Sequence, residues 1–112
     1  EIDKAQDAWL AQVKEFPSGS RADIAFYRLG TTAYSRGRLS EAESYYRRSL
    51  NVSKDKEIGI KAKFALAQCL EAGENLKAAL TIYKELEPEY ANKDAIGIKI
   101  HALEARILKK SY

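Results

Sequence analysis

The sequence predicts an all-α fold built from antiparallel helical hairpins, about six helices in all. Three observations point there. Apolar residues recur at steps of three and four along most of the chain, which keeps them on one side of a helix. The composition favours helix and is poor in β-branched residues, and two prolines with six glycines leave little room for long loops. The central stretch Ala25 to Leu50, AFYRLGTTAYSRGRLSEAESYYRRSL, reads as two amphipathic helices joined by a tight turn, and its pattern returns further on.

Taken in order, residues 2–15 carry Ile2, Ala5, Trp9, Val13 and Phe16 on one helical face, and Pro17 ends the run. Ser20 with Asp23 predicts a capping box opening the next helix. That helix shows Phe26, Leu29, Ala33 and Tyr34 on one side, and Gly37 closes it where a left-handed residue is needed. Ser40 with Glu43 predicts the same reciprocal cap for the following helix, which turns Ala42, Tyr45, Tyr46, Ser49 and Leu50 toward its partner. Gly30 and Ala42 are small where the two backbones approach. Asp55 is expected to cap a longer helix reaching about Ala72, with Ile58, Ala62, Ala65, Leu66, Cys69 and Leu70 as its apolar face. Gly73 ends it, Asn75 opens the next, and Leu76, Ala79, Leu80, Tyr83 and Leu86 form a stripe that Pro88 stops. A last helix from about Asp94 to Lys109 aligns Ile96, Ile100, Leu103 and Ile107, and Lys109 and Lys110 suit its C-terminal turn.

The hairpin repeats. Leu29 and Leu66, Ala42 and Ala79, and Tyr46 and Tyr83 are each separated by 37 residues. Gly73 falls one place before Glu74, so the second turn is expected to differ from the first, and Lys63 replaces Phe26 with Phe64 beside it. The run Lys54 to Lys61 returns almost literally at Lys93 to Lys99, with a one-residue gap. Phe26, Leu29, Gly30, Gly37, Leu39, Ala42, Tyr46 and Ser49, at these spacings, resemble a tetratricopeptide repeat; Ala33 departs from it, standing where an aromatic is usual, with Tyr34 next to it. The resemblance implies a single α-solenoid domain over residues 1–112, its hairpins stacked in a right-handed superhelix. Residues 1–17 would be the second helix of a truncated repeat, with Ala5, Trp9 and Pro17 as its small, aromatic and terminal proline positions and Trp9 in the core. Residues 20–53 and 55–88 would be whole repeats, and 94–110 a further first helix or a capping helix. The Phe16-Pro17-Ser18 break and the long first helices also resemble, in repeat style, bacterial envelope proteins such as outer-membrane assembly lipoproteins and cell-division coordinators.

The 112 residues suit one domain with a modest core, and 46% hydrophobic with 31% charged residues describe a folded rather than a disordered chain. A net charge of +3, with both signs interspersed, supplies no strong field for nucleic acid or membrane. Cys69 is the single cysteine, so no intramolecular disulfide forms. No apolar run approaches the ~20 residues of a membrane span, and no signal peptide is visible. A chain that starts at Glu1 and contains no methionine reads as a processed product or a piece of a longer protein, which leaves periplasm and cytoplasm both open.

Catalysis has little to rest on. Cys69 and His101 are the only thiol and imidazole, they too few for a zinc set, and Cys69 lies in an apolar stripe. No enzyme activity, cofactor or metal is expected. Asn51-Val52-Ser53 matches a glycosylation sequon by chance at a helix end. Arg47, Arg48, Lys54, Lys56, Lys61 and Lys63 are spread over several faces and interrupted by Asp55 and Glu57, a solvated surface rather than a phosphate-binding one. In the family resembled here, ligand-facing residues lie on the first helices, on the side turned from the second. Carried onto this chain, that implies Tyr27, Thr31 and Tyr34, then Lys61, Phe64 and Gln68, then His101, as a concave groove for a peptide or partner segment. Tyr34 and Phe64 are equally readable as packing between repeats. Chaperone-binding members hold a terminal carboxylate with Lys and Asn where Tyr27 and Thr31 stand here, which argues against such a clamp. The alternative function is self-assembly, by end-to-end stacking of repeats.

Overall fold

A computed structural model describes residues 21–110, so the expected helix over 2–15, with Trp9, and the Ser20 cap lie outside the described residues. Among the described residues there are five α-helices, one short 3-10 helix and no strand. The helices are α1 (Ala22–Ser35), α2 (Leu39–Val52), α3 (Lys56–Ala72), α4 (Leu76–Leu86) and α5 (Lys93–Lys110), with the 3-10 turn at Glu87–Glu89 between the last two. The regular structure of the described residues is all helical, as the periodicity predicts. Each helix packs chiefly on its neighbours in the chain, and α1 also touches α3. α1 with α2 and α3 with α4 thus form two hairpins, and α5 lies against α4.

The two hairpin turns are the same piece of backbone chemistry. After α1, the Gly37 N–H donates to Tyr34 O at 3.0 Å and the Arg38 N–H to Ala33 O at 2.9 Å, with Gly37 at φ 76°. After α3, the Glu74 N–H donates to Glu71 O at 3.0 Å and the Asn75 N–H to Leu70 O at 2.8 Å, with Glu74 at φ 63°. Both are Schellman closures, in which a left-handed residue lets the chain satisfy the last carbonyls of the helix. The expected difference between the turns is therefore corrected. Glu74, not Gly73, occupies the left-handed position, at a cost of about 1 kcal/mol for a side chain with Cβ. Its carboxylate meets Arg106 Nη2 at 2.8 Å and Lys110 Nζ at 2.6 Å on α5, so the strained residue is also an anchor.

Helix starts divide into one expectation that holds and one that does not. Asp55 caps α3 as predicted, its Oδ1 accepting from Glu57 N at 2.8 Å and Ile58 N at 3.4 Å. Ser40 does not cap α2. The helix begins at Leu39 behind Arg38 with no side-chain cap, because the Schellman turn leads the backbone straight into the new helix. Asp23 sits buried near the start of α1 and receives the Ser53 hydroxyl at 3.2 Å, while its carbonyl receives the Ser49 hydroxyl at 2.8 Å. These bonds tie the first hairpin at its open end.

The core follows the 37-residue spacing. Ala42 and Ala79, Leu29 and Leu66, and Tyr46 and Tyr83 are all buried. Small residues at the helix crossings let large rings fill the gaps: a Cβ on Gly30 would stand 2.6 Å from Cδ1 of the Tyr46 ring. Tyr34 departs from its expected stripe. It is 39% exposed, because Ala33, not Tyr34, turns into the core.

Burial raises the pKa values of Tyr83, Tyr46 and Cys69 above their ordinary 10.0, 10.0 and 9.0. For Tyr83, the Glu71 charge and the hydrogen bond to it add to the effect of burial. A group with a raised folded pKa contributes stability that is complete below its ordinary value and fades as pH rises through the folded one. Thermal midpoints followed by circular dichroism are expected to hold up to about pH 9 as far as these groups are concerned, then to fall through the alkaline range. The slope should be shallower in Tyr83→Phe.

Candidate functional site

α1 and α3 present their groove-side residues at helical steps of three and four, so Tyr27, Thr31 and Tyr34 share one face and Lys61, Phe64 and Gln68 another. The structure brings Tyr27, Lys61, Phe64 and Gln68 together around one depression of about 140 Å³, joined there by Ile60 and Tyr90. The rings are fixed by one another. Phe64 stacks on Tyr90 with centroids 5.1 Å apart and planes at 15°, and meets Tyr83 edge-on at 5.6 Å. Tyr27 tilts against Tyr46 at 5.8 Å. Tyr90 reaches this place because Lys93 Nζ donates to the carbonyls of Glu87, Pro88 and Tyr90, which folds the connection back.

Gln68 is shared with a second depression of about 260 Å³, where it meets Tyr34, Glu71, Lys99 and Arg106. Here a carboxylate organises the charges. Glu71 accepts from the Tyr83 hydroxyl at 3.1 Å, Lys99 at 3.5 Å and Arg106 at 3.2 Å. Lys110 first, and then Arg106, hold the nearby Glu74 carboxyl below the usual glutamate range. The Lys61 ammonium, by contrast, is in no ion pair among the described residues.

Thr31 and His101 stand apart from the cluster. Thr31 Oγ1 donates to Tyr27 O at 3.1 Å and accepts from the Tyr46 hydroxyl at 3.3 Å, so it positions the rings from behind. His101 is 85% exposed on the outer side of α5, with Nδ1 3.7 Å from Glu104. A 37-residue step from Phe64 lands on His101, but the near-literal repeat of the α3 start needs 38, and that step carries Lys61 to Lys99 and Gln68 to Arg106. Lys99 and Arg106 line the second depression. The one-residue gap was the signal. For Tyr90 there was none beyond an aromatic residue just after Pro88.

No family model matches the sequence, and no curated protein is similar to it.

Cys69 is buried and its thiol donates to Leu39 O at 3.1 Å, while His101 faces Glu104, so each is engaged elsewhere. No group of three metal-binding side chains occurs among the described residues, and no described helix is long and apolar enough to cross a membrane. A volume of about 140 Å³ is well below the roughly 300–1,000 Å³ of small-molecule pockets and suits one inserted side chain. A larger depression of about 360 Å³, lined by Glu74, Asn75, Leu76, Lys77, Ile107 and Lys110, offers no ring, and two of its three charged groups are joined in the Glu74–Lys110 pair.

Proposed function

We propose that the chain is a non-catalytic protein-interaction module of the tetratricopeptide kind, its hairpins stacked as in an α-solenoid, that takes an extended peptide along the face shared by α1 and α3. The observation that carries this reading is the convergence of Tyr27, Phe64 and Tyr90 on one small depression, with Lys61 and Gln68 at its rim. The rings offer apolar area already held in place, so little side-chain freedom is lost on binding. Gln68 donates and accepts toward a peptide backbone, and Lys61 brings a charge that is in no ion pair among the described residues. The 37-residue recurrence of Leu, Ala and Tyr supports the repeat architecture.

The test uses peptides selected from a random library against the whole chain and titrated by fluorescence anisotropy. Lys61 and Gln68 are exposed, so the double variant Lys61→Glu, Gln68→Glu keeps the fold. Its affinity for the selected peptides is expected to fall at least about tenfold, equivalent to about 1.4 kcal/mol. Amide shifts around Tyr27, Phe64 and Tyr90 should accompany binding to the unaltered chain. Unchanged affinity in the variant would remove the groove from this face.

A further inference from the structure

We propose that the outward face of α5 pairs with the same face of a second copy of the chain, the two helices running antiparallel. Tyr34, Ile98 and Leu108 are the large apolar side chains left exposed among the described residues, and two of these three lie on this face, Ile98 at 70% and Leu108 at 58%. Ala102 and Ala105 lie between them, also exposed. The steps 98, 102, 105 and 108 follow one side of the helix, opposite Ile96, Ile100 and Leu103, which pack inward. The seam of a two-helix pair has this spacing, and the alanines leave room for the larger side chains of the facing helix.

Charge chooses the occupant and its direction. Asp94 stands in the first turn of α5 and Lys109 in the last, and neither meets an opposite charge within its own chain among the described residues. A copy laid antiparallel about a two-fold axis near Ala102 brings each Asp94 toward the other copy's Lys109, and each Ile98 toward the other's Leu108. A parallel copy would set like charge against like. The face is thus complementary to itself, the condition for an isologous contact. Glu104, at its edge, is already matched by Lys84 at 3.2 Å and stays out of the seam. One helix of 18 residues is about 27 Å long and buries less than a standard interface, so the dissociation constant is expected on the order of 100 μM.

Sedimentation equilibrium of the whole chain over a concentration series is expected to show a monomer–dimer equilibrium. Ile98→Glu with Leu108→Glu should give a monomer at every concentration with unchanged helical circular dichroism, because both side chains face solvent. Asp94→Lys and Lys109→Asp should each weaken the dimer several-fold, and the two together should restore it. Ala102→Cys should form a disulfide-linked dimer under mild oxidation, while Cys69 remains buried. A monomer throughout, a dimer that survives the double Glu variant, or charge variants that worsen rather than restore each other would overturn the proposal.

Discussion

Replacing Tyr83 by alanine is expected to cost about 3–5 kcal/mol, the range for removing a large aromatic side chain from a core. Tyr83 is fully buried on α4, meets Phe64 edge-on at 5.6 Å, and donates its hydroxyl to Glu71 at 3.1 Å. Its loss opens a cavity between α3 and α4 and leaves Tyr90 as the one ring against Phe64 among the described residues. Against a typical domain stability of about 5–15 kcal/mol this is a large fraction. Urea titration followed by circular dichroism should show the midpoint fall sharply, and the thermal midpoint should drop by about 4–8 °C for each kcal/mol. Tyr83→Phe separates ring from hydroxyl. It keeps the packing and should lose only about 0.5–1.5 kcal/mol, because Glu71 retains Lys99 and Arg106. Equal losses in the two variants would mean that the ring is not what holds the second hairpin.

Gly30→Val is expected to have the second largest effect, and it runs against helix propensity. Glycine inside a helix is worse than alanine by about 1 kcal/mol, so on propensity alone Gly30→Ala should stabilise α1. The added Cβ, however, would lie 2.6 Å from two carbons of the Tyr46 ring, closer than atoms tolerate. That ring is buried and tied by its hydroxyl to Thr31, so it has no easy way to move. Overpacking of this kind costs about 1–3 kcal/mol for small additions. Gly30→Ala should therefore be neutral to destabilising by about 2 kcal/mol, and Gly30→Val worse still. Tyr46→Leu in the same chain should recover part of the Gly30→Val loss by making room. If Gly30→Ala raises the urea midpoint, the close approach of α1 and α2 at this point is wrong.

These two positions also mark what can be read in the sequence. Gly30 and Tyr46 announce a small residue beneath a large ring through spacing alone, and the helix-on-helix core follows. Asp55 announces the start of α3 because its side chain serves amides two and three residues away. Glu74 announces nothing. Its left-handed conformation is held together with Arg106 and Lys110, more than thirty residues on, and no local pattern encodes that pairing. Ser40 misleads for the opposite reason: the turn before it already settles where α2 begins. The resemblance names Tyr27, Lys61, Phe64 and Gln68, and these four do gather around one depression. His101 stands two residues past Lys99, a turn of about 200° around α5, and so lies on the outer surface.

Because nearly every helix contact joins neighbours along the chain, the backbone has few distant loops to close before its contacts form. Low contact order of this sort goes with folding in microseconds to milliseconds. It also means that losing α5 strips support from α4 and, through the Lys99 and Arg106 bonds to Glu71, from α3, and reaches α1 only by way of them.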